Sequence, residues 1–297
     1  MKKFGKIMTA IMAGALMVGC FAGCGGNTDT EGTSPSGNAA TGDHLARIKA
    51  AGVLTMATNA AFPPFETIGD NGNVVGVDVD IAQAIADKIG VKLEVKDVDF
   101  DTIVSEIETG KSDIGVAGMT VTPERAEKVD FSDSYFTSIQ YFIVPAGSDI
   151  KTVEDLAGKR VGVQLGTTGD ILISNANNGE YDANGTKTAD GVLEDNPAEL
   201  SQMKTAMEAT QELINGRLDA VVIDKLPAES LVAQNPDAGL TTFELTYADG
   251  SKTDEQYAIA VAKGDDSASL LALINEVIAE VKANGTLEES INKHSMA

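Results

Sequence analysis

A cation and two hydroxyl groups stand close together where a short apolar run of the sequence ends. Residues 114–118 (IGVAG) have the pattern of a buried parallel strand, and Thr120 and Thr122 follow it. Pro123 at a first helical position places Arg125 in the first turn of a helix. A cation there opposes the helix dipole, so a nearby anion explains Arg125 better than helix stability does. The alternative is a solvated surface arginine in a strand-to-helix connection.

Two further strand ends carry polar residues. The predicted strand at 160–163 runs into Thr167 and Thr168, which predict a helix N-cap with backbone amides that can face an anion. A plain capping turn is the alternative. The predicted buried strand at 219–224 ends in Asp224. In open α/β sheets ligands lie at the carboxyl ends of strands, which is where these residues are expected.

The composition excludes several kinds of chemistry. The 297 residues carry a formal net charge of −23, which argues against nucleic acid and against docking on anionic lipid through a basic patch. Both cysteines, Cys20 and Cys24, lie in the N-terminal leader, and the histidines are His44 and His294. A zinc site or a histidine-dependent triad has almost no residues to be built from. We therefore expect no metal, no cofactor and no nucleic-acid partner.

Strands alternate with helices along the chain. Residues 53–58 have the pattern of a strand, and Ile81, Ile85 and Ile89 at a spacing of four predict a helix that Gly90 ends. Short strand and helix patterns continue in the same order up to the opening motif. The alternation predicts a doubly wound α/β lobe.

A second β/α series begins at Val153. Met203, Met207, Thr210 or Gln211, and Ile214 have helical spacing, and we interpret them as the core stripe of a helix. The polar segment 175–197 is expected to be a surface insertion.

The chain then returns to the first lobe. The predicted boundaries are 43–144 plus 243–297 for lobe 1 and 145–242 for lobe 2. Two crossovers between the lobes make a hinge the expected connection.

A long ordered motif extends this interpretation. Residues 118–125 (GMTVTPER), followed by 129–136 (VDFSDSYF), resemble the extracellular solute-binding proteins (family 3) of polar amino acid ABC transporters. These belong to the type II periplasmic-binding-protein superfamily, and the resemblance covers nearly all of the chain after residue 42. It implies two doubly wound α/β lobes, a two-strand hinge and a ligand cleft between the lobes. It also implies a monomeric, non-catalytic protein that delivers an amino acid to permease subunits.

The resemblance assigns roles at matching positions. Arg125 corresponds to the residue that grips the ligand's α-carboxylate, and Asp224 to the carboxylate that takes the α-ammonium. Each charge-assisted hydrogen bond contributes on the order of 1.5–3 kcal/mol, so a zwitterion can shift an open–closed equilibrium. The other expected binding residues are Gly118 and Thr120 at the ligand head, Thr167 and Thr168 at its carboxylate, Phe62 and Phe100 around its side chain, and Asn59 and Gln164 in the distal pocket.

The distal pocket predicts the ligand side chain. Asn59 lies where relatives that bind basic amino acids commonly carry Asp, and Gln164 and Ile223 are also expected there. None of the three is charged, so a cationic side chain would lack a partner. We therefore expect a neutral L-amino acid, polar (glutamine-like or cystine-like) before aliphatic.

The N-terminus has the pattern of a lipoprotein signal. Three lysines among the first six residues precede an apolar run at 7–22, which closes on two small-residue-then-Cys sites. Cys24 is preferred over Cys20 as the lipidated residue because the apolar run continues beyond Cys20. Residues 1–24 are therefore expected to be the signal segment and 25–42 a flexible tether. The protein is expected on the outer face of the bacterial cytoplasmic membrane.

Two other function classes compete with this prediction. A few relatives of the family are periplasmic dehydratases, whose chemistry needs a buried carboxylic acid. Glu66 is the nearest candidate, but its place beside a Pro-Pro loop predicts a solvated side chain. A sensor module is disfavoured because no transmembrane or kinase region follows residue 24.

Overall fold

The first half of the chain forms the larger part of a mixed sheet. The computed structural model describes residues 43–182 and 184–295, so the predicted signal segment and tether lie outside the described residues. The elements of this half are α1 (His44–Ala51), β1 (Val53–Thr58), β2 (Ala61–Phe62), β3 (Glu66–Ile68), β4 (Val74–Val75), α2 (Val77–Ile89), β5 (Lys92–Asp97), α3 (Ile103–Glu108), β6 (Ile114–Gly115), α4 (Pro123–Lys128), β7 (Val129–Phe131) and β8 (Phe136–Ser138).

The second half forms another sheet and then returns to the first. Its elements are β9 (Gln140–Pro145), β10 (Arg160–Gln164), α5 (Thr168–Asn178), β11 (Glu180–Tyr181), β12 (Lys187–Ala189), β13 (Glu199–Met203), α6 (Ala206–Ile214), β14 (Ala220–Asp224), α7 (Lys225–Ala233), β15 (Leu240–Glu244), β16 (Glu255–Tyr257), β17 (Ala260–Ala262), α8 (Ala268–Ala283) and α9 (Thr286–Ser295). Within the described ranges, no helix is both long and apolar enough to cross a membrane.

The two sheets have the same mixed plan. The first has the order β5-β1-β6-β17-β7, with β5, β1 and β6 parallel and β17 antiparallel to both of its neighbours. The second has the order β13-β10-β14-β9-β15, with β13, β10 and β14 parallel and β9 antiparallel to β14 and β15. This is the two-lobe fold of type II periplasmic binding proteins.

Helices cover both faces of each sheet, which confirms the doubly wound prediction. In β1, Met56 packs on the side of α2 and α8, whereas its neighbour Ala57 packs on the side of α3. In β14, Val221 and Val222 divide in the same way between the α6 side and the α5 side. Strands buried on both faces have near-continuous apolar sequences, as these two do.

The lobe boundaries differ from the predicted ones. Strand Gln140–Pro145 pairs in the second sheet, and so does Leu240–Glu244, so the boundaries at 144/145 and 242/243 cut through that sheet. The crossover is instead the antiparallel pair β8–β16, in which Phe136 lies opposite Tyr257. The pattern of an apolar strand shows that it is buried but not which sheet it joins, because sheet membership depends on distant partners.

The predicted core stripe of α6 was correct at Thr210, which is 1% exposed, but wrong at its start. Met203 ends strand β13, and Met207 is 47% exposed. The buried face of the helix consists instead of small residues and one leucine, namely Ala206, Ala209, Thr210 and Leu213. In the predicted surface insertion, β11 and β12 form an exposed antiparallel hairpin.

Candidate functional site

All ten residues predicted to bind the ligand line a single cavity between the two sheets. The cavity lies at the carboxyl ends of the parallel strands, with residues from both lobes on its walls. Its lining consists of Asn59, Phe62, Phe100, Gly118, Thr120, Arg125, Gln164, Thr167, Thr168 and Asp224. Their individual binding roles remain predictions.

Arg125 is a buried cation held by backbone carbonyls. Helix α4 begins as predicted, because Thr122 caps it by accepting a hydrogen bond from the Arg125 backbone N–H at 3.2 Å. The guanidinium donates to the carbonyls of Thr120 (2.6 Å) and, from the other lobe, Gly166 (2.9 Å), and it lies 5.3 Å from the centre of the Phe100 ring. The residue is 8% exposed.

Within the described ranges, no carboxylate lies at ion-pair distance from the Arg125 guanidinium. Burial lowers the pKa of its guanidinium to about 10, and the negative charges of Glu255 and Asp224 oppose this shift. The side chain is therefore cationic at neutral pH. A buried cation that is only solvated by carbonyls favours an anionic ligand group.

Gly118 and its surroundings form the floor of the cavity on the lobe 1 side. Its φ of +53° and its closeness to Phe62 both require glycine, since a Cβ atom would lie 2.6 Å from that ring. The Gly118 N–H donates to Asp78 Oδ2 at 2.7 Å, and Tyr135 donates its hydroxyl to the same oxygen at 2.9 Å. The fully buried Asp78 thus fixes the loop that follows β6.

Asp224 ends β14 and is 3% exposed. Tyr257 donates its hydroxyl to Oδ1 at 2.6 Å, and Gln140 donates from Nε2 to Oδ2 at 3.1 Å. Burial, and then the negative charge of Glu255, raise the pKa of the Asp224 carboxyl well above its usual range. The ionised form of Asp224 is therefore disfavoured until a cation approaches it.

Sequence reasoning missed the three residues that surround Asp224. Gln140 begins β9, while Glu255 and Tyr257 lie on β16, and all three are buried. The period of two in a strand places Glu255 and Tyr257 on the same face, next to the apolar run that follows. An acidic residue in phase with a tyrosine is the signal that could have found Glu255 and Tyr257, whereas it says nothing about Gln140 on β9.

The N-terminus of α5 supplies the opposite wall. Thr167 caps the helix, accepting from the Asp170 N–H at 3.3 Å and donating its hydroxyl to the Gln164 carbonyl at 2.7 Å. The capping interpretation is thus correct for Thr167. The Thr168 hydroxyl instead accepts from Gln140 Nε2 at 3.2 Å. Both threonines also line the cavity.

The distal end of the cavity is built from two amides. Asn59 donates from Nδ2 to the Val98 carbonyl at 2.7 Å, and Gln164 donates from Nε2 to Asn59 Oδ1 at 2.9 Å, which joins the lobes. Gln164 is almost fully buried, yet its Oε1 has no hydrogen-bond partner among the described residues. A buried acceptor of this kind favours a ligand with N–H or O–H groups.

Glu66 does not have the predicted environment. It is fully buried rather than solvated, and neither carboxyl oxygen has a hydrogen-bond partner in the described part of the chain. Burial, and then the charge of Asp78, raise the pKa of Glu66 well above its usual range. The side chain is not part of the cavity lining.

Comparisons with known proteins agree with this geometry. The family model for bacterial extracellular solute-binding proteins, family 3, matches residues 54–297. A probable histidine-binding protein of Neisseria gonorrhoeae is 32% identical over 243 residues, 82% of each chain. The arginine-binding extracellular protein ArtP of Bacillus subtilis is 34% identical over 236 residues, 80% of this chain and 83% of the relative.

A solved structure is similar over nearly its whole length. It is an ancestral arginine-binding protein bound to glutamine, 42% identical, with a TM-score of 0.68. The match covers 82% of this chain and 97% of that one.

Proposed function

The chain belongs to the bacterial extracellular solute-binding proteins of family 3 and serves an amino acid ABC transporter, and we propose that it closes around a neutral, polar L-amino acid. In this proposal Arg125 holds the α-carboxylate and Asp224 holds the α-ammonium. The remaining lining residues contact the rest of the ligand.

One observation supports the clamp above all others. Two buried ionisable groups, the basic Arg125 and the acidic Asp224, come from different lobes and line one cavity, yet no ion pair joins them. A zwitterion supplies a partner to each, and only in the closed cleft does it reach both. This differential interaction is what allows a ligand to stabilise the closed state.

The uncharged distal pocket supports the choice of side chain. Asp224 is the one carboxylate among the ten lining residues, whereas the distal end presents the amides of Asn59 and Gln164. The unpaired Gln164 Oε1 can accept from an amide of the ligand, but it cannot neutralise a guanidinium. The second candidate is a cationic amino acid, which the names of the arginine- and histidine-binding relatives favour.

The dehydratase alternative has less support. Its acid would have to face the substrate, and Glu66 lies outside the cavity lining despite its burial. The two relatives named above are amino acid-binding proteins, and the matching family model is that of solute-binding proteins.

A thermal-shift panel of the amino acids on the purified protein tests the proposal. A ligand at 100 times its Kd adds about 2.7 kcal/mol to the free energy of unfolding, which raises the melting temperature measurably. We expect glutamine or cystine to give the largest shift and Arg125→Ala to abolish it. Tighter binding of arginine than of glutamine would refute only the prediction that the ligand has a neutral side chain. A panel in which no amino acid shifts the melting temperature would refute the whole function.

We further infer a lipid-anchored monomer at the outer face of the cytoplasmic membrane that delivers its ligand to permease subunits. The leader sequence supports the anchor, with Cys24 as the modified residue and Cys20 as the alternative. Metabolic labelling with a fatty acid should mark the wild-type protein and Cys20→Ala but not Cys24→Ala.

A further inference from the structure

We propose that Glu255 is a positioning residue of the ammonium subsite, sharing a single proton with Asp224 that is released when the ligand ammonium binds. The inference rests on the proposed function of the site. It makes proton release a part of ligand binding, and it gives a role to Glu255, which does not line the cavity.

The contacts of Glu255 tie it to the subsite from the connecting strand β16. The side chain is 4% exposed. Its Oε1 accepts from Gln140 Nε2 at 2.9 Å, and its Oε2 accepts from the Thr120 hydroxyl at 3.2 Å. The same Gln140 Nε2 lies 3.1 Å from Asp224 Oδ2. One amide nitrogen therefore bridges two buried carboxyl groups.

This bridge holds the two carboxyl groups around one amide nitrogen. Gln140 Nε2 carries two hydrogens but lies within hydrogen-bonding distance of three acceptors, Asp224, Glu255 and Thr168. Two buried carboxylates this close together repel each other, and such pairs titrate as a unit that keeps one proton. The raised pKa of Asp224, to which the charge of Glu255 contributes, is consistent with this arrangement.

Two other titratable groups, Tyr257 and Arg125, face the carboxyl pair, and neither forms an ion pair that would remove the need for the proton. Tyr257 faces Asp224 from β16, and burial and the Asp224 charge raise the pKa of its phenol well above the usual range, so it stays neutral and donates. Arg125 faces both carboxyl groups from α4, but its guanidinium is bonded to backbone carbonyls instead of to either of them.

The ligand ammonium changes this balance. It brings a positive charge and three N–H donors to Asp224, which favours the anion. The carboxyl O–H bond then breaks and the proton passes to the solvent buffer, while the ammonium keeps its three hydrogens. As the pH falls below the raised pKa of Asp224, the Kd should rise by about tenfold per pH unit, because the proton must be removed before binding.

Isothermal titration calorimetry of the full protein with L-glutamine and L-arginine tests this inference. Titrations at each pH from 5 to 8, each run in two buffers that both have capacity at that pH, give the number of protons released, because the two buffers are chosen to differ in ionisation enthalpy. The wild type should release a proton over part of this range. Glu255→Gln keeps the hydrogen-bond acceptor but removes the like charge, so its release should fall by at least about half and its Kd profile should move to lower pH. Glu255→Asp should retain the release, and Glu229→Gln on the exposed face of α7 is the control.

The possible results separate the inference from the proposed function. Binding without proton release by the wild type would overturn the inference and leave the function intact. The inference would also be overturned if Glu255→Gln bound the ligand more weakly at every pH but released as many protons as the wild type. That result would indicate a purely structural role for Glu255. Binding of neither amino acid, together with a negative thermal-shift panel, would refute the function itself. Should Glu255→Gln not fold, the wild-type and Glu255→Asp series still decide.

Discussion

Arg125 is the residue on which we expect ligand binding to depend most. Its forked guanidinium makes two hydrogen bonds, to Thr120 and Gly166, in two lobes, and lysine cannot make both with the same geometry. We expect Arg125→Lys to weaken binding by at least about tenfold, the equivalent of one charge-assisted hydrogen bond. Calorimetry measures the effect, and Arg217→Lys, at an exposed pair with Glu212, should bind like the wild type. A Kd within about twofold of the wild type for Arg125→Lys would contradict the clamp.

The raised pKa of Glu66 predicts that the free energy of unfolding depends on pH. Because burial raises its pKa in the folded protein, the folded state keeps a proton that the unfolded state loses above its ordinary value of 4.5. Stability should therefore fall as the pH rises from 4.5 to the folded pKa. Asp78, whose pKa is raised to about 6, contributes a further fall in stability as the pH rises from 3.8 to 6.

Glu66→Gln removes the first of these two contributions. Urea unfolding between pH 4.5 and 8 should show a shallower fall of stability in Glu66→Gln than in the wild type. The exposed Glu94→Gln serves as the matched control and should behave like the wild type. Parallel pH profiles for Glu66→Gln and the wild type would show that Glu66 is ionised in the folded protein.

Among the elements that form the site, the loop after β6 leaves no room for a side chain at Gly118. In Gly118→Ala the new methyl group meets the Phe62 ring and the backbone keeps a positive φ. Gly52→Ala is the matched comparison, since φ there is +72° but no atom lies within 4 Å of the added Cβ. Backbone strain should cost each variant about 1–2 kcal/mol of unfolding free energy, and crowding should cost Gly118→Ala about 1–3 kcal/mol more. Denaturant unfolding measures both, and equal losses would show that Phe62 moves aside freely.

How much could be predicted from the sequence differs from element to element. The isoleucine spacing in α2 and the Thr122–Pro123 start of α4 are local signals, and both predictions were confirmed. In α6 the stripe through Met207 was wrong, because alanines provide the close packing there and their small side chains give a weak periodic signal. The sheet membership of β9 and the place of Glu255 beside Asp224 depend on pairing with residues far away in the chain, which periodicity does not report.

At the scale of the whole molecule, three polar contacts among the described residues join the lobes across the cleft. Two are buried hydrogen bonds of site residues, from Arg125 to Gly166 and from Gln164 to Asn59. The third is an exposed ion pair between Lys204 Nζ and Asp99 Oδ2 at 2.9 Å, at the rim. Because neither Lys204 nor Asp99 lines the cavity, the contribution of this ion pair to closure can be measured separately from the ligand contacts.

Lys204→Ala should therefore weaken ligand binding slightly by favouring the open state. Exposed ion pairs contribute little, so we expect the Kd to rise about two- to fivefold at low salt and the difference to shrink as salt screens the charges. Lys88→Ala is the matched control, because Lys88 pairs with Glu276 and Glu280 between α2 and α8 of the same lobe and its loss leaves the cleft contacts intact. Calorimetric titrations of both variants at two salt concentrations measure the effect. Equal affinities for the two variants at low salt would show that the rim pair does not contribute to closure, leaving that role to the buried contacts and the ligand.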